Sequence, residues 1–320
     1  MKNKMTALVA IALASGMAYA VPGADDDCGL LVADSTGDRV LLLSAQDGSV
    51  IDANWIDIAA AAASDGYTGG ITPIEAIEVG SEIWVSDQVA DRIWRFDTVT
   101  QNYIGSIGAG SGDMNNIRGM HRFGGTVYVA MGSDSDNFER GIITIDQATA
   151  TVTGRFNGRD PSDTSYWDLN FSNGNLLVSN SDSGNDGLEI YSIDGDYLGN
   201  LVSSDGVTGI DFPQQINRDS NGNLLVGGFS SPSGVHMFDM FGNSLGIVAG
   251  LDSGSRAGYE LGNGEIMWTN GSFIATDNGT ILDGGSFRFI TKVQGSYVPG
   301  PAGVALLGMG GLIAGRRRRA

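Results

Sequence analysis

Residues 83–97 read IWVSDQVADRIWRFD, and this stretch decides the fold. It holds two apolar runs of alternating character, 83–87 and 92–97, with a short Asp-containing loop between them. Alternation with a period of two among β-branched and aromatic residues is typical of a half-buried strand. The stretch therefore predicts two consecutive β-strands joined by a polar loop.

The same unit is read six times along the chain. Its first strand can be aligned on Leu31, Ile83, Val127, Leu176, Leu224 and Phe273, which are 52, 44, 49, 48 and 49 residues apart. Four strands of five or six residues plus their turns need roughly 40 to 50 residues. Radial repetition also protects the sheet edges that an open array would expose. The spacing predicts one all-β domain over residues 21–297, a six-bladed β-propeller.

The two ends of this domain raise a question about ring closure. The chain enters the fold at what reads as the second strand of a blade, near Leu31. The first blade must therefore borrow its innermost strand or go without one. The final strand, 287–293, is a candidate to complete a shared blade, and the sequence leaves the choice open.

The repeats resemble NHL and gluconolactonase-like propellers, in which a strand follows a tight Ser-Asn-Gly-Asn turn, as at 172–175 and 219–223. The resemblance implies the propeller fold and, as an alternative function, a secreted hydrolase or lactonase with a metal at the channel mouth. The chain does not reproduce the Glu, Asn, Asn, Asp metal set expected of those enzymes. No nucleophile with an evident base stands out either, so a binding or structural role is favoured over catalysis.

Propellers usually carry function on the loops that lead into each innermost strand. Aligning those loops predicts a ligand rim made of Glu75, Arg118, Trp167, Asp168, Gln214, Tyr259 and Glu260. Aromatic, amide and carboxylate groups together can hold a sugar, so a glycan or matrix polymer is a possible partner. The alternative is that these residues cap strands and fill the channel.

Two oxygen-rich loops, 133–137 and 180–187, are candidate calcium-binding sites. Calcium is the one cofactor that the sequence suggests. The carboxylates of these loops belong to Asp134, Asp136, Asp182 and Asp186. Alternating Asp and Asn residues present several hard oxygens from one loop, as calcium requires. Solvated Asx turns without a ligand are the alternative.

The first twenty residues read as a signal peptide. A basic start is followed by an apolar run and by the small residues Ala18 and Ala20 around Tyr19. This pattern predicts cleavage before Val21 and export by the secretion machinery.

The last 23 residues, 298–320, read as a sorting segment. An uncharged stretch of fourteen residues, 302–315, spans only about 21 Å as a helix, against roughly 30 Å of bilayer hydrocarbon. The proline motif 298–301 precedes this stretch, and four arginines, 316–319, follow it. This order resembles the PEP-CTERM signal of Gram-negative bacteria, with Gly300 where that family most often has Glu. The resemblance implies transient membrane association, an exosortase-like enzyme as partner, and a final location at the cell envelope, the outer surface or the extracellular matrix. A plain C-terminal anchor is the alternative. The residues that carry the signal are Val298, Pro299, Pro301, Arg316, Arg317, Arg318 and Arg319.

The charge between these two segments excludes one class of partner. Residues 21–297 contain 12 basic and 37 acidic residues, a net charge of −25. Such a surface repels phosphate backbones, so a nucleic-acid partner is not expected.

Overall fold

The computed structural model describes residues 28–156, 159–182, 184, 186–204 and 209–293. The expected signal peptide, residues 1–20, and the expected sorting segment, residues 298–320, lie outside the described residues. Within the described part of the chain, no helix is both long and apolar enough to cross a membrane.

Six four-stranded antiparallel sheets make up the described chain, which confirms the all-β, six-bladed propeller. The strands of its first half are β1 (Gly29–Asp34), β2 (Arg39–Ser44), β3 (Val50–Asp57), β4 (Pro73–Val79), β5 (Glu82–Asp87), β6 (Arg92–Asp97), β7 (Tyr103–Ile107), β8 (Ile117–Phe123), β9 (Thr126–Met131), β10 (Gly141–Asp146) and β11 (Thr151–Phe156). Those of its second half are β12 (Tyr166–Ser172), β13 (Asn175–Asn180), β14 (Gly187–Tyr191), β15 (Tyr197–Ser203), β16 (Pro213–Arg218), β17 (Leu224–Gly228), β18 (Gly234–Phe238), β19 (Ser244–Ala249), β20 (Ala257–Glu260), β21 (Ile266–Thr269), β22 (Phe273–Thr276), β23 (Gly279–Asp283) and β24 (Phe287–Val293).

Blades 2 to 6 are each built from four consecutive strands, from β4–β7 to β20–β23, with the lowest-numbered strand innermost. A short helix, α1 (Ile58–Ser64), connects blade 1 to blade 2. The Asp57 side chain caps it by accepting a hydrogen bond from the Ala60 N–H at 2.8 Å, which satisfies one of the free donors of the first turn. A single turn of 3-10 helix, Pro161–Asp163, precedes blade 4.

Blade 1 closes the ring by joining the two ends of the propeller. Its strand order is β24-β1-β2-β3, so the last described strand is the innermost one. Strand β24 pairs antiparallel with β1, from Gly29 opposite Val293 to Asp34 opposite Phe287. Of the alternatives left open by the sequence, the structure therefore has the shared blade.

The predicted alignment of the sixth repeat is wrong by one strand. Phe273 lies on β22, the third strand of blade 6, whereas its supposed equivalents in the other blades lie on second strands. The true second strand, β21, has only four residues, and β22 follows it after the tight turn 270–272. The strand at 287–293 consequently belongs to blade 1 and not to the sixth repeat. Strands this short leave too little alternation to fix their order from sequence.

The core consists of six apolar layers, one between each pair of neighbouring blades. Alternate residues of a strand point to opposite faces of its sheet. On β5, Ile83 and Val85 enter the layer between blades 1 and 2, whereas Trp84 enters the layer between blades 2 and 3. The alternation that identified the strands thus also packs the ring together.

Each innermost strand has one side without a partner strand, and this side faces the central channel. Its backbone N–H and C=O groups need hydrogen bonds from elsewhere. The channel has two mouths. We call the end at which the innermost strands begin the upper mouth, and the end at which they finish the lower mouth.

Candidate functional site

Bulges near the start of the innermost strands decide which side chains enter the channel. The pairing register shifts between Pro73 and Glu75 on β4, and between Tyr166 and Asp168 on β12. An extra residue in one strand bends it and re-aims the neighbouring side chains. In both blades a serine of the second strand bridges the gap. The Ser179 hydroxyl, for example, accepts the Asp168 N–H at 2.9 Å.

The upper part of the channel is filled by apolar side chains. Ile74, Trp167 and Phe289 form a buried cluster there, against which Phe212 packs. These residues come from different blades and meet on the axis. We call this cluster the upper plug.

Two buried carboxyl groups, Glu75 and Asp168, lie below the upper plug. Glu75 accepts hydrogen bonds from the Met120 N–H at 2.5 Å, from the Thr291 hydroxyl at 2.9 Å and from Gln215 Nε2 at 3.3 Å. Burial raises the pKa of Glu75 to about 7, although these hydrogen bonds work in the opposite direction. Glu75 therefore binds its proton at a pH at which an exposed glutamate is ionised.

Asp168 bridges blades 4 and 5 in a similar way. One of its carboxyl oxygens accepts the Ile216 N–H at 2.8 Å. The other, Oδ1, is buried and has no hydrogen-bond partner among the described residues. Burial and the neighbouring Glu75 carboxylate raise the pKa of Asp168 well above its usual range. A buried polar atom without a partner is costly, so Oδ1 is a point at which a ligand or water would be stabilised.

A cavity of about 290 Å³ extends from these carboxyl groups to the lower mouth. Exposure increases towards the lower mouth along β8, one of the lining strands. On β8, Met120 is buried, His121 is half-buried and Arg122 is exposed. The polar side chains that line the cavity are Glu75, Glu78, His121, Arg122, Asp168, Asn170, Gln215, Asn217, Thr291 and Lys292. Lys292 is the only lysine between residue 5 and the end of the chain.

His121 lines the cavity and also contacts an aromatic ring of the layer between blades 3 and 4. The His121 ring lies 5.4 Å from that of Phe171, and Phe123 stacks on Phe171 at 4.3 Å. Burial, followed by the positive charges of Arg122 and Arg218, lowers the pKa of His121 to about 4. At neutral pH the imidazole is uncharged and offers one donor and one acceptor.

The predicted rim residues fall into four different environments. Glu75 and Asp168 line the cavity. Trp167 belongs to the upper plug, and the Arg118 guanidinium lies 4.0 Å above its ring. Gln214 and Tyr259 are buried, the latter in the layer between blades 6 and 1. Glu260 is half-buried and accepts the Ser220 N–H. The structure thus brings two of the seven into one cavity, and ligand binding by the set stays a prediction.

A recognisable pattern marks three cavity residues that the predicted rim does not include, Asn170, Gln215 and Asn217. Asp168 and Asn170 flank Leu169, and Gln215 and Asn217 flank Ile216, with both polar pairs pointing to the channel. Polar residues two apart on an innermost strand share the face that lines the channel. This pattern is visible in the sequence, but it lies in the middle of the strands and not in the loops that lead into them.

The calcium candidates lie on separate loops. Asp134 pairs with Arg140 at 3.3 Å, and Asp136 lies against Gly112. Burial and a hydrogen bond with Asp211 raise the pKa of Asp186 to about 7. Asp182 is near enough to contribute to that rise. Among the described residues, no group of three or more His, Cys, Asp or Glu side chains has the arrangement of a metal site. Calcium binding stays an untested prediction.

No family model and no curated protein matches this chain. Solved structures do. A chain of a Nidogen/Laminin complex aligns with a TM-score of 0.62 at 13% identity, over 85% of this chain and 100% of that one. A protein of unknown function from Bacteroides caccae aligns with a TM-score of 0.53 at 12% identity, over 84% of this chain and 100% of that one. A streptogramin B lyase aligns with a TM-score of 0.50 at 12% identity, over 86% of this chain and 85% of that one. At such identities these similarities support the propeller fold alone.

Proposed function

We propose that this protein is an exported, non-catalytic binding module that holds a small sugar or a sugar unit of a glycan at the lower mouth of its channel. The observation that carries the proposal is the polar cavity of about 290 Å³, which the upper plug closes at one end. A closed pocket with convergent polar groups is the usual form of a small-molecule site.

The chemistry of the lining favours a sugar over a more apolar ligand. The amides of Asn170 and Asn217, the Thr291 hydroxyl and the Lys292 ammonium group lie around the space. The Lys292 ammonium group can donate hydrogen bonds to sugar hydroxyls, and the amide and hydroxyl oxygens can accept them.

Lys292 provides a direct test, because it is the only lysine of the chain after residue 4. An amine-acetylating reagent should modify Lys292 in the free protein. A bound sugar should slow that reaction, as measured by peptide mass spectrometry across a panel of monosaccharides and disaccharides. The α-amino group serves as the internal reference. The proposal fails if no sugar in the panel protects Lys292.

The two histidines supply a matched pair of variants. His121 lines the cavity, whereas His236 lies on β18 and its Nε2 is 2.7 Å from the Pro232 carbonyl oxygen. We expect His121→Gln to reduce the protection of Lys292 and His236→Gln to leave it unchanged. Equal effects of both changes would contradict binding at this cavity.

Export is supported by the two ends of the sequence. The small residues around Tyr19 support signal-peptide cleavage, and residues 298–320 support PEP-CTERM-like sorting to the cell envelope or matrix. Mass spectrometry of the native protein should show a chain that begins near Val21 and ends near Val298. A chain that retains residues 316–319 would contradict processing.

Hydrolysis of a lactone is a second candidate, favoured by the proximity of Glu75 and Asp168. A buried carboxyl group that is protonated near neutral pH can act as a general acid. Purified protein should then open simple sugar lactones faster than buffer does, and Asp168→Asn should abolish the excess rate. An unchanged rate in that variant would remove this candidate.

A further inference from the structure

A second surface with the chemistry of a binding site lies at the upper mouth, on the far side of the upper plug from the cavity. The Arg118 guanidinium lies 4.0 Å from the Trp167 ring, and the Trp167 and Phe212 rings are 5.6 Å apart. Phe212 and Phe229 are also 5.6 Å apart, and the Arg256 guanidinium lies 4.9 Å from the Phe229 ring. We call this continuous row of five side chains the arginine–aromatic arc.

The residues of the arc lie where blades 3 to 6 begin their innermost strands or end their second strands. Arg256 directly precedes β20, Phe212 directly precedes β16, and Phe229 directly follows β17. Phe212 has a φ of 52°, in the left-handed region that a bulky side chain enters only when its surroundings hold it there. Its neighbours on both sides are the rings of Trp167 and Phe229.

The charge at one end of the arc is unbalanced. Neither Arg256 nor Arg288 forms an ion pair with a described carboxylate. Arg256 Nε is buried without a hydrogen-bond partner in the described chain, and Arg288 Nε donates to the hydroxyl of Ser35 at 2.9 Å. The two arginines are linked through Thr269, which accepts the Arg256 N–H at 2.8 Å and donates its hydroxyl to the Arg288 carbonyl oxygen at 2.5 Å. Burial and the nearby charge of Arg288 lower the pKa of Arg256 to about 9.

Two neighbouring cations without carboxylates are unexpected in this chain. Acidic residues outnumber basic ones by 37 to 12 between residues 21 and 297, and six of the other arginines do form ion pairs. The carboxylate of Asp34 is close to Arg288 but is already held by Arg39 at 3.0 Å. A desolvated cation is costly unless an anion accompanies it. An anion from outside would meet that need.

Carboxyl groups beside the arc limit where an anion can lie. Asp186 and Asp211 are hydrogen-bonded to each other, and Asp186 also accepts the Phe212 N–H. Since that pair faces the middle of the arc, the oxyanion belongs at the Arg256 end. Phe229, at that end, is 38% exposed, and an exposed aromatic residue can pack against a sugar ring.

We propose that the upper mouth binds a uronic acid unit of a sparsely charged glycan, with its carboxylate between Arg256 and Arg288 and its ring on Phe229. Guanidinium groups suit carboxylates because their donors match the two oxygens. A densely charged polyanion is disfavoured because the body around the site carries a net charge of −25. This site is separate from the cavity at the lower mouth and does not depend on it.

The test is calorimetric titration of the purified full-length protein with sodium glucuronate, with glucose and with sodium acetate. Glucuronate should bind at least about tenfold more tightly than either, because only it supplies both a carboxylate and a sugar ring. Equal binding of acetate would show a site for any anion. Glucose can also enter the cavity at the lower mouth, so glucose binding counts against the arginines only where it equals glucuronate binding and Arg256→Gln leaves both unchanged. Either result overturns the proposal.

Variants separate the two contributions. Arg256→Gln and Arg288→Gln should each weaken glucuronate binding about tenfold. Arg140→Gln is the matched control, since it removes the same charge from an exposed arginine that is paired with Asp134. Phe229→Leu should weaken glucuronate binding and leave acetate unaffected. Melting curves identify any variant that has lost its fold. Undiminished glucuronate affinity in folded Arg256→Gln and Arg288→Gln proteins would refute the assignment.

Discussion

Gln215 Nε2 donates a hydrogen bond to Glu75 Oε1 at 3.3 Å, and this bond joins two blades that face each other across the channel. Gln215 also accepts the Ile290 N–H at 2.7 Å, so three innermost strands meet through two side chains. Polar groups on the axis thus satisfy backbone groups that the blades themselves leave unpaired.

Glu75 predicts a specific dependence of stability on pH. Its pKa is about 7 in the folded protein, against an ordinary value of 4.5. Between pH 4.5 and about 7, the folded state therefore keeps a proton on Glu75 that the unfolded state has lost. Its contribution to stability is full below pH 4.5 and is lost as the pH rises towards 7. Glu75→Gln should remove that loss, so the variant should gain in melting temperature relative to the natural protein between pH 5 and 8.

The control for this measurement is Glu139→Gln, which changes an exposed carboxylate. Its melting temperature should run parallel to that of the natural protein over the same pH range. A residual slope in Glu75→Gln is expected, because the pKa of Asp168 is raised as well. A difference between Glu75→Gln and the natural protein that does not change with pH would show that Glu75 keeps its charge in the channel.

Gly119 predicts a steric limit at the contact between blades 3 and 4. A methyl group at this position would meet the Asp168 carboxylate and would lie 2.7 Å from the Trp167 carbonyl oxygen. Backbone cannot move away cheaply, so Gly119→Ala should destabilise the protein by about 1 to 3 kcal/mol. Denaturant titration measures this. Gly271→Ala is the matched control, since its methyl group would meet only a guanidinium nitrogen at 3.5 Å. Similar losses in both variants would contradict the predicted clash.

The fold could be predicted from sequence further than the site could. The regular spacing of the repeats and the alternation of apolar residues predict the number of blades, because every blade needs the same number of strands to cover its neighbours. The location of the cavity could not be read in the same way. It depends on bulges such as that before Asp168, and on Trp167 and Phe289 meeting on the axis from different blades. These contacts join residues far apart in sequence, and no local pattern encodes which mouth they fill.

A buried carboxylate in blade 4 predicts a large stability effect away from the channel. Glu189 is fully buried and accepts hydrogen bonds from Arg159 at 2.8 Å, Asn180 at 2.9 Å and Tyr191 at 2.6 Å. Glu189→Ala removes the acceptor of the buried Asn180 and Tyr191 donors, and a buried donor without its acceptor costs about 1 to 3 kcal/mol. The variant should therefore lose about 2 to 4 kcal/mol in denaturant titration.

Glu139→Ala is the comparison for that variant. Its carboxylate is 70% exposed and only 4.0 Å from Arg155, so its loss should cost at most about 1 kcal/mol. If the two alanine variants unfold at the same denaturant concentration, the buried network does not stabilise blade 4.

Ring closure by β24 predicts how much of the C-terminal region the propeller can lose. Phe287, Phe289, Ile290 and Val293 are at most 1% exposed, and β24 is the inner partner of β1. Burying each such side chain contributes about 1.5 to 3 kcal/mol, so their combined loss rivals the whole stability of a typical domain, about 5 to 15 kcal/mol. A chain spanning residues 21–285 should therefore lack a cooperative melting transition, whereas one spanning 21–297 should keep it. Circular dichroism melts distinguish the two, and equal melting temperatures would show that blade 1 closes without β24. Because β24 ends at Val293, cleavage before Val298 would leave the closing strand in place, and a sorted protein would keep an intact ring.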